Sequence, residues 1–312
     1  MNRSILSEYL SVFLARLLYL FSLLPLWFLY GVSYFFTIVI YRIFRYRVNV
    51  VRQNLRNAFP EKSRKERRTI ERDFYRHFSD VMMEVLKLKT ISPANLKRRC
   101  VYSAGSQKLL NNYYSQGRNV LIVLAHTGNW EWAGASSPLY NKHQIITAYR
   151  PLRDKVFDKD TLNTRKRTGN ILASMKNLVR EIFKHKNQVI GIALIGDQTP
   201  APDNAFWVKF LHQETPFFKG AEVLAQKFNT PVFWCSVKKV KRGHYFIHFE
   251  LIAENPREYT EEGSLTCLHA SYLERDIKAQ PESWLWSHRR WKHKRPEKAG
   301  LACATKLMDI SD

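Results

Sequence analysis

The distribution of apolar and polar positions divides the chain into an uncharged first segment and a longer, alternating remainder. Residues 17–41 form a run of 25 positions without a charged side chain. At about 1.5 Å of rise per helical residue, this run exceeds the roughly 30 Å thickness of a bilayer core. Interfacial aromatics such as Trp27 favour a membrane segment over a buried core helix, and Pro25 and Gly31 can bend it. We expect a membrane anchor, spanning or re-entrant, over residues 1–46.

The charges that follow the apolar run predict its orientation. Five arginines and no acidic residue lie between positions 42 and 56, whereas few charges precede the run. Because positive residues remain on the cytoplasmic side of a membrane segment, we expect the long C-terminal part to be cytoplasmic.

The remainder of the chain has the pattern of an α/β domain. Residues 62–89 are charge-rich with apolar residues at helical spacing, which predicts an amphipathic helix that joins the anchor to the body. Strands are predicted at 119–125, 144–149, 188–195, 231–237 and 245–253. Helices are predicted at 129–140, 170–184, 219–228 and 264–279. This alternation indicates a mixed sheet flanked by helices, in one domain over residues 47–312.

The composition adds a requirement for an anionic partner. Lys and Arg number 50 against 27 Asp and Glu, for a net charge of +23, and 45% of the 312 residues are hydrophobic. The chain therefore folds around a proper core, and its basic surplus suits nucleic acid, anionic lipid, or an acidic protein or substrate.

Candidate chemistry follows the first strand of the body. His126 lies just after the apolar run 119–125, and Glu131 lies about one turn into the next helix. A carboxylate at that distance can orient an imidazole and make it a general base near neutral pH. Such a pair needs no serine when the substrate itself provides the hydroxyl nucleophile. Alone, however, His-x4-Glu is a weak pattern that more often marks a structural pair.

Several blocks in order along the chain resemble one family. From Arg47 onward the sequence is similar to the lipid A biosynthesis acyltransferases, the late lauroyl and myristoyl transferases of the wider glycerolipid acyltransferase superfamily. The matching blocks are RVNVVRQNLRNAFPE (47–61), AHTGNWE (125–131), YRP (149–151), RKRTGN (165–170), GDQTP (196–200), FFKGAEVLAQKFNTPV (217–232) and PESWLWSHRRWK (281–292). The family also has an N-terminal anchor.

The resemblance implies roles for individual residues. His126 would be the catalytic base and Glu131 its partner, where the superfamily commonly has Asp. Arg165 and Asp197 would be further active-site residues, although Asp197 also suits a helix cap or turn.

The same resemblance assigns two further arginines to the substrate. Arg150 and Arg167 would contact phosphate or carbonyl oxygens, because a guanidinium can bind an anion bidentately. We expect no metal and no cofactor, since His288 and His293 lie in a basic run without nearby ligand carboxylates. The tryptophans of that C-terminal block are interpreted as structural.

The function that the resemblance implies is acyl transfer at the inner membrane. Acyl carrier protein would donate a fatty acyl thioester, and a hydroxyl of a phosphorylated lipid A precursor would accept it, with the catalytic domain on the cytoplasmic face. The acidic carrier, the phosphorylated lipid and anionic membrane lipids all suit the basic surplus.

Three alternatives remain at this stage. The first is a lysophospholipid or aminolipid acyltransferase of the same superfamily, which would share the histidine–carboxylate pair. The second is a membrane-tethered protein that keeps the fold and binds carrier or lipid without catalysis. The third, a nucleic-acid-binding protein, is disfavoured because the chain has no helix-turn-helix, zinc-finger or RNP pattern, so we expect no nucleic-acid partner.

Overall fold

The computed structural model describes residues 3–302 as a set of helices around two sheets. The helices are α1 Arg3–Leu23, α2 Leu26–Ile38, α3 Val48–Ala58, α4 Arg64–Lys87, α5 Pro93–Arg99, α6 Ala104–Ser115, α7 Trp130–Ser136, α8 Lys155–Lys166, α9 Leu178–Lys184, α10 Gly220–Phe228 and α11 Ser264–Ala279. The strands are β1 Cys100–Tyr102, β2 Val120–Leu124, β3 Gln144–Tyr149, β4 Ile171–Ser174, β5 Ile190–Ile195, β6 Ala205–Phe210, β7 Gln213–Phe218, β8 Val232–Lys241, β9 His244–Ala253 and β10 Leu301–Ala302.

The main sheet has seven strands in the order β1-β9-β8-β2-β5-β3-β4. Strands β8, β2, β5, β3 and β4 run parallel, whereas β9 is antiparallel to β8 and parallel to β1. The second sheet is smaller, with the order β10-β6-β7. The predicted class, a mixed α/β sheet flanked by helices with an N-terminal apolar helix, is therefore confirmed.

Strand β2 lies at the centre of the core, which explains why it is apolar throughout. Its five residues are all buried, with alternate side chains on opposite faces. Leu121 and Val123 belong to the core cluster that includes α10 and α11. Val120 and Ile122 belong to the other cluster, with α6 and α7. Helices on both faces thus exclude water from the central strands.

One predicted helix is wrong. The helical spacing predicts a single helix over residues 170–184, but Ile171–Ser174 is strand β4 and only Leu178–Lys184 is helical. Residues Ile171–Ser174 pair in parallel with β3, from Ile146 to Tyr149. Helical periodicity in this stretch is therefore overridden by edge pairing, which satisfies the backbone groups of a short aliphatic run.

The N-terminal apolar run consists of two helices separated at Pro25. Helix α1 ends at Leu23, and α2 continues through a π-helical turn at Val39–Ile43. Among the described residues, Leu26–Ile43 is the one helix that is long and apolar enough to cross a membrane, and few of its residues are buried. Proline causes the break because it donates no backbone hydrogen bond and its ring clashes with the preceding turn.

Hydroxyl groups of this segment bind buried carboxylates on α4. The hydroxyl of Tyr30 donates to Glu84 at 2.8 Å, and Ser33 donates to Asp80 at 2.6 Å. Tyr41 donates to Glu71 at 2.9 Å. The sequence predicts α4 to be amphipathic, yet all three of these carboxylates are buried on it. The apolar segment is therefore attached to the body by specific polar contacts, while the division at residues 46 and 47 stays a prediction.

Candidate active site

The register of two neighbouring strands brings His126 and Asp197 together. In the parallel pair β2 and β5, Leu124 lies opposite Ile195 at the carboxyl end. His126 and Asp197 each follow two residues later, so both reach the same edge of the sheet. In open α/β sheets this edge is the usual place for a ligand site.

Asp197 is the carboxylate that binds the His126 imidazole. One carboxylate oxygen lies 2.7 Å from Nδ1 of His126, and the other accepts the His126 backbone N–H at 3.0 Å. The indole N–H of Trp284 donates to that second oxygen at 2.8 Å. Burial of Asp197 opposes its ionisation, but these donors and the imidazole outweigh that effect and lower its pKa to about 2. Asp197 is thus an ionised, fully oriented acceptor.

The contact with Asp197 determines the direction in which the pKa of His126 changes. Burial disfavours the imidazolium, but the Asp197 carboxylate and its hydrogen bond outweigh burial and raise the pKa of His126. Because Nδ1–H donates to Asp197, Nε2 is left as the proton acceptor, and the side-chain nitrogen of Gln198 lies 3.3 Å from it. The Trp130 ring packs edge-on against the imidazole, with centroids 4.9 Å apart. The His126 side chain keeps 14% exposure, so a substrate atom can reach it.

Glu131, which the sequence pairs with His126, instead holds Arg165. Arg165 Nε donates to one Glu131 carboxylate oxygen at 2.9 Å, and Nη2 donates to the other at 2.5 Å. Glu131 occupies the first turn of α7 and Arg165 the last turn of α8, so the bidentate contact joins these two helices. The His-x4-Glu spacing suggests Glu131 as the partner of the His126 imidazole, but the carboxylate in contact with the imidazole is that of Asp197.

The loop between β2 and α7 has a fixed conformation. Gly128 has a positive φ of 55°, and a Cβ there would lie 2.6 Å from the Val237 carbonyl oxygen. The Gly128 carbonyl accepts from His77 Nε2 at 3.1 Å. His77 stays neutral because burial, reinforced by the nearby Lys239 charge, lowers its pKa to about 3. A substituent on Gly128 would therefore displace the backbone that carries the site.

Asn129 joins this loop to α4. Its side-chain oxygen accepts the Trp132 backbone N–H at 2.9 Å and so caps α7. Its side-chain nitrogen donates to Glu84 at 2.7 Å. Glu84 also accepts the hydroxyl of Tyr245 at 2.6 Å, in addition to that of Tyr30. The carboxylate that holds the N-terminal segment thus also holds the start of the active-site helix.

The two expected substrate arginines have different positions. Arg150 is exposed and follows β3, so it lies at the same carboxyl edge of the sheet as His126. Arg167 Nη2 donates to the carbonyl of Ile91 at 3.3 Å, and Nη1 donates to that of Leu88, just after α4. The Arg167 contacts therefore join α8 to the end of α4.

An apolar wall lies beside His126. It borders a cavity of only about 10 Å³, room for about one water molecule, and includes Phe74, Phe78, Val81, Trp130, Trp284 and Leu285, with His77 and Ser283 also at the cavity. A larger cleft of about 450 Å³, lined in part by Phe206, Lys219 and Leu301, contains none of the expected site residues. Within residues 3–302, no group of three or more His, Cys, Asp or Glu side chains is arranged to hold a metal ion.

Some site residues were not identified from the sequence. Trp284 and Trp286 are buried in the core, as a structural block should be, but Trp284 also binds Asp197. Gln198 and Trp130 contact His126 directly, and they lie inside the recognised blocks GDQTP and AHTGNWE. Their membership of these blocks, close in sequence to His126 and Asp197, is the signal that could have identified them.

A buried aspartate that orients a histidine at the strand ends of an α/β sheet is characteristic of enzymes that use the histidine as a base. The chain belongs to the bacterial lipid A biosynthesis acyltransferase family, which it matches over residues 1–293. It is 23% identical over 256 residues to the lipid A biosynthesis palmitoleoyltransferase of Escherichia coli K12, covering 79% of each chain. It has the same identity and coverage with a lipid A biosynthesis acyltransferase of Shigella flexneri. The protein is therefore an acyltransferase, and its family acts in the acylation of lipid A.

Proposed function

We propose that this enzyme transfers a fatty acyl chain from an acyl carrier protein thioester to a hydroxyl of a phosphorylated lipid A precursor. The observation that carries the proposal is the orientation of His126, whose Nδ1 is bound by the buried Asp197, which leaves Nε2 as the nitrogen that can accept a proton. Family membership supplies the lipid A-type acceptor.

The reaction needs one proton shuttle and no covalent enzyme intermediate. The acceptor oxygen attacks the thioester carbonyl while its proton passes to Nε2 of His126. When the tetrahedral intermediate collapses, the carbon–sulfur bond breaks and the leaving sulfur takes that proton from Nε2. The products are an ester and the carrier thiol, and His126 is regenerated. Asp197 stabilises the transient imidazolium and fixes its tautomer.

Arg165 is assigned to an oxygen of the substrate. Glu131 holds Nε and Nη2 of its guanidinium, and the third nitrogen, Nη1, is the one available for a phosphate or a developing oxyanion. Glu131 therefore acts by positioning Arg165. Arg150 is assigned to an acceptor phosphate, because it is exposed at the same sheet edge, and Arg167 to an outer anionic contact in addition to its contacts with the end of α4.

The enzyme is proposed to work at the cytoplasmic face of the inner membrane. Large apolar side chains are exposed along α1 and α2, including Phe13 at 61%, Trp27 at 75% and Phe35 at 66%. An exposed apolar surface of this kind is stabilised when lipid covers it. The basic surplus suits both the acidic carrier and anionic lipid headgroups.

A transfer assay with several acceptors tests the proposal. The purified enzyme is incubated with labelled acyl carrier protein and with either a phosphorylated lipid A precursor or a panel of lysophospholipids and aminolipids, and products are weighed by mass spectrometry. We expect transfer to the lipid A precursor and loss of one defined acyl chain from the lipid A of cells without the enzyme. Exclusive transfer to a lysophospholipid would favour the alternative substrate class, and binding without product would favour a non-catalytic role.

A further inference from the structure

A buried carboxylate connects the apolar N-terminal segment to the start of α7. Glu84 of α4 is completely buried and accepts three hydrogen bonds. The hydroxyl of Tyr30, on α2, donates to its Oε1 at 2.8 Å. Asn129 and Tyr245 donate to its Oε2 at 2.7 and 2.6 Å. Since a buried polar group without a partner is costly, the carboxylate keeps its place only while all of these donors keep theirs.

The side chain of Tyr30 has a fixed position against the body. The guanidinium carbon of Arg242 lies 4.3 Å from the centroid of the Tyr30 ring, and Nη2 donates to the Tyr30 backbone carbonyl at 3.1 Å. Arg242 Nε also donates to Asp80 of α4 at 2.9 Å. Gly243, in the turn between β8 and β9, has a positive φ of 68°, and a side chain there would overlap the Tyr30 hydroxyl. The docking of α2 therefore determines where that hydroxyl lies.

The first residues of α7 are the part of the site that this contact reaches. Asn129 caps the helix with its side-chain oxygen while its side-chain nitrogen binds the α4 carboxylate. The two residues that follow it both contact expected catalytic groups. The Trp130 ring packs edge-on against His126, with centroids 4.9 Å apart. Glu131 binds the guanidinium of Arg165 through both carboxylate oxygens. A displacement of Asn129 therefore moves two supports of the site at once.

A second tyrosine of the apolar segment makes a similar bond that leads elsewhere. Tyr41 donates its hydroxyl to Glu71, another buried carboxylate of α4, at 2.9 Å. Glu71 also accepts from Nη2 of Arg52, on α3, at 2.9 Å. Both tyrosines thus attach the segment to α4. Within the part of the chain that the structure describes, Tyr30 is the one of the two whose acceptor also binds the cap of α7.

We propose that Tyr30 is a positioning residue for acyl transfer: its hydrogen bond to Glu84 couples the docking of α2 to the position of the α7 N-terminus. This inference rests on the proposed function. Tyr30 acts through Glu84 and Asn129, and so it influences the groups that contact His126 and hold Arg165 without being one of them. The enzyme is therefore fully active only while its apolar segment is docked on α4.

The kinetics of two matched variants in detergent test this role. Tyr30→Phe removes only the hydroxyl and should lower kcat about tenfold, the equivalent of one lost hydrogen bond to a buried carboxylate. Tyr41→Phe removes the same group from the same segment and should keep the wild-type kcat. Both variants should lose similar thermal stability, because each loses one hydrogen bond to α4. Wild-type kcat in Tyr30→Phe, or an equal loss of kcat in Tyr41→Phe, would overturn the proposal.

A double-mutant cycle tests whether the effect passes through the cap of α7. Asn129→Ser keeps a capping oxygen on the helix, but its side chain is too short to reach Glu84. It should lower kcat about as much as Tyr30→Phe, and the double variant should be no slower than the slower single variant. Additive losses, or a wild-type kcat in Asn129→Ser, would contradict the proposal. Asn129→Ser also tests the link if Tyr30→Phe does not fold, because it leaves the contacts of α2 intact.

Amide hydrogen exchange provides a readout that needs no substrate. In Tyr30→Phe, exchange over residues 129–136 should become faster by about tenfold, because α7 loses part of its attachment to α4. In Tyr41→Phe, exchange over the same residues should match that of the wild type. Unchanged exchange in Tyr30→Phe, or an equal increase throughout the protein, would contradict the proposal. Since no acyl transfer is measured, this experiment separates a failure of the coupling from a failure of the proposed function.

Discussion

Replacement of Asp197 by Asn tests the pairing around which the site is built. The substitution keeps the size of the side chain but removes the charge that faces His126 Nδ1 at 2.7 Å. An amide can also present its nitrogen to the imidazole, which favours the wrong tautomer and leaves Nε2 protonated. We expect kcat/KM for acyl transfer to fall by about 10²- to 10⁴-fold, the usual contribution of an oriented general base.

The contribution of ionised Asp197 to the free energy of unfolding follows from its pKa. Its ordinary value of 3.8 is lowered to about 2 in the fold, and at 1.36 kcal/mol per unit this favours the ionised form by about 2 kcal/mol. Because the pKa is lowered, this stabilisation is present above about pH 4 and is lost as the pH falls toward 2. The pKa of His126 is raised instead, so the stabilisation that comes from its protonated form is lost as the pH rises through the folded-state pKa of His126.

The assay combines pH–rate profiles with thermal unfolding of the wild type and Asp197→Asn. Loss of the carboxylate charge should lower the pKa of His126, and the acidic limb of the residual activity should therefore move to lower pH. The exposed Asp203 provides a matched control, since Asp203→Asn should change neither rate nor stability. Wild-type kcat/KM with an unshifted acidic limb in Asp197→Asn would refute the assignment of Asp197 as the partner of His126.

Three further predictions concern the supports of the site. Replacement of Glu84 by Ala leaves three donors without their acceptor, and should cost about 3 kcal/mol of unfolding free energy, measured by thermal unfolding in detergent. Gly128→Ala should lower both stability and transfer because its Cβ meets a carbonyl oxygen at 2.6 Å, whereas Gly134→Ala in α7, with open space around it, should be neutral or slightly stabilising; equal melting temperatures would contradict this. Glu131→Gln and Arg165→Lys should each reduce the rate of acyl transfer. If the two residues act as one unit, the double variant should be no slower than the slower single variant, whereas additive losses of activity would contradict this.

The sequence predicts the central strands of the sheet better than the strand at its edge. The apolar runs around Val120–Leu124 and Ile190–Ile195 are buried on both faces, so their composition alone marks them as central strands. Ile171–Ser174 has no such protection, since it lies at the sheet edge and becomes a strand only because β3 is available to pair with it. Local periodicity contains no information about that partner.

The site shows the same limit at the level of single residues. His126 contacts Asp197, and Glu131 contacts Arg165, while the catalytic roles that the resemblance gives these four residues stay predictions. Sequence proximity suggests Glu131 as the partner of His126, but the strand register determines the contact. Leu124 and Ile195 lie opposite each other, so the residues two positions later, His126 and Asp197, come together. A contact across 71 positions depends on strand order, which a single sequence does not state.

The buried acids of α4 show a second kind of limit. Glu71, Asp80 and Glu84 lie in a charge-rich helix that suggests a solvated face, yet each is buried and accepts hydrogen bonds from the apolar N-terminal segment. Hydroxyls of Tyr30, Ser33 and Tyr41 supply those bonds. Such polar positions within an apolar run are a recognisable signal, but their partners become known only from the packing.

Acyl transfer by purified His126→Asn enzyme tests the central claim most directly. The reaction contains labelled acyl carrier protein and a phosphorylated lipid A precursor, and mass spectrometry detects the acylated product. His212→Asn, at an exposed turn between β6 and β7, is the matched control. The account predicts that the wild type and His212→Asn add an acyl chain, whereas folded His126→Asn adds essentially none. Product formation by His126→Asn at the wild-type rate would contradict it.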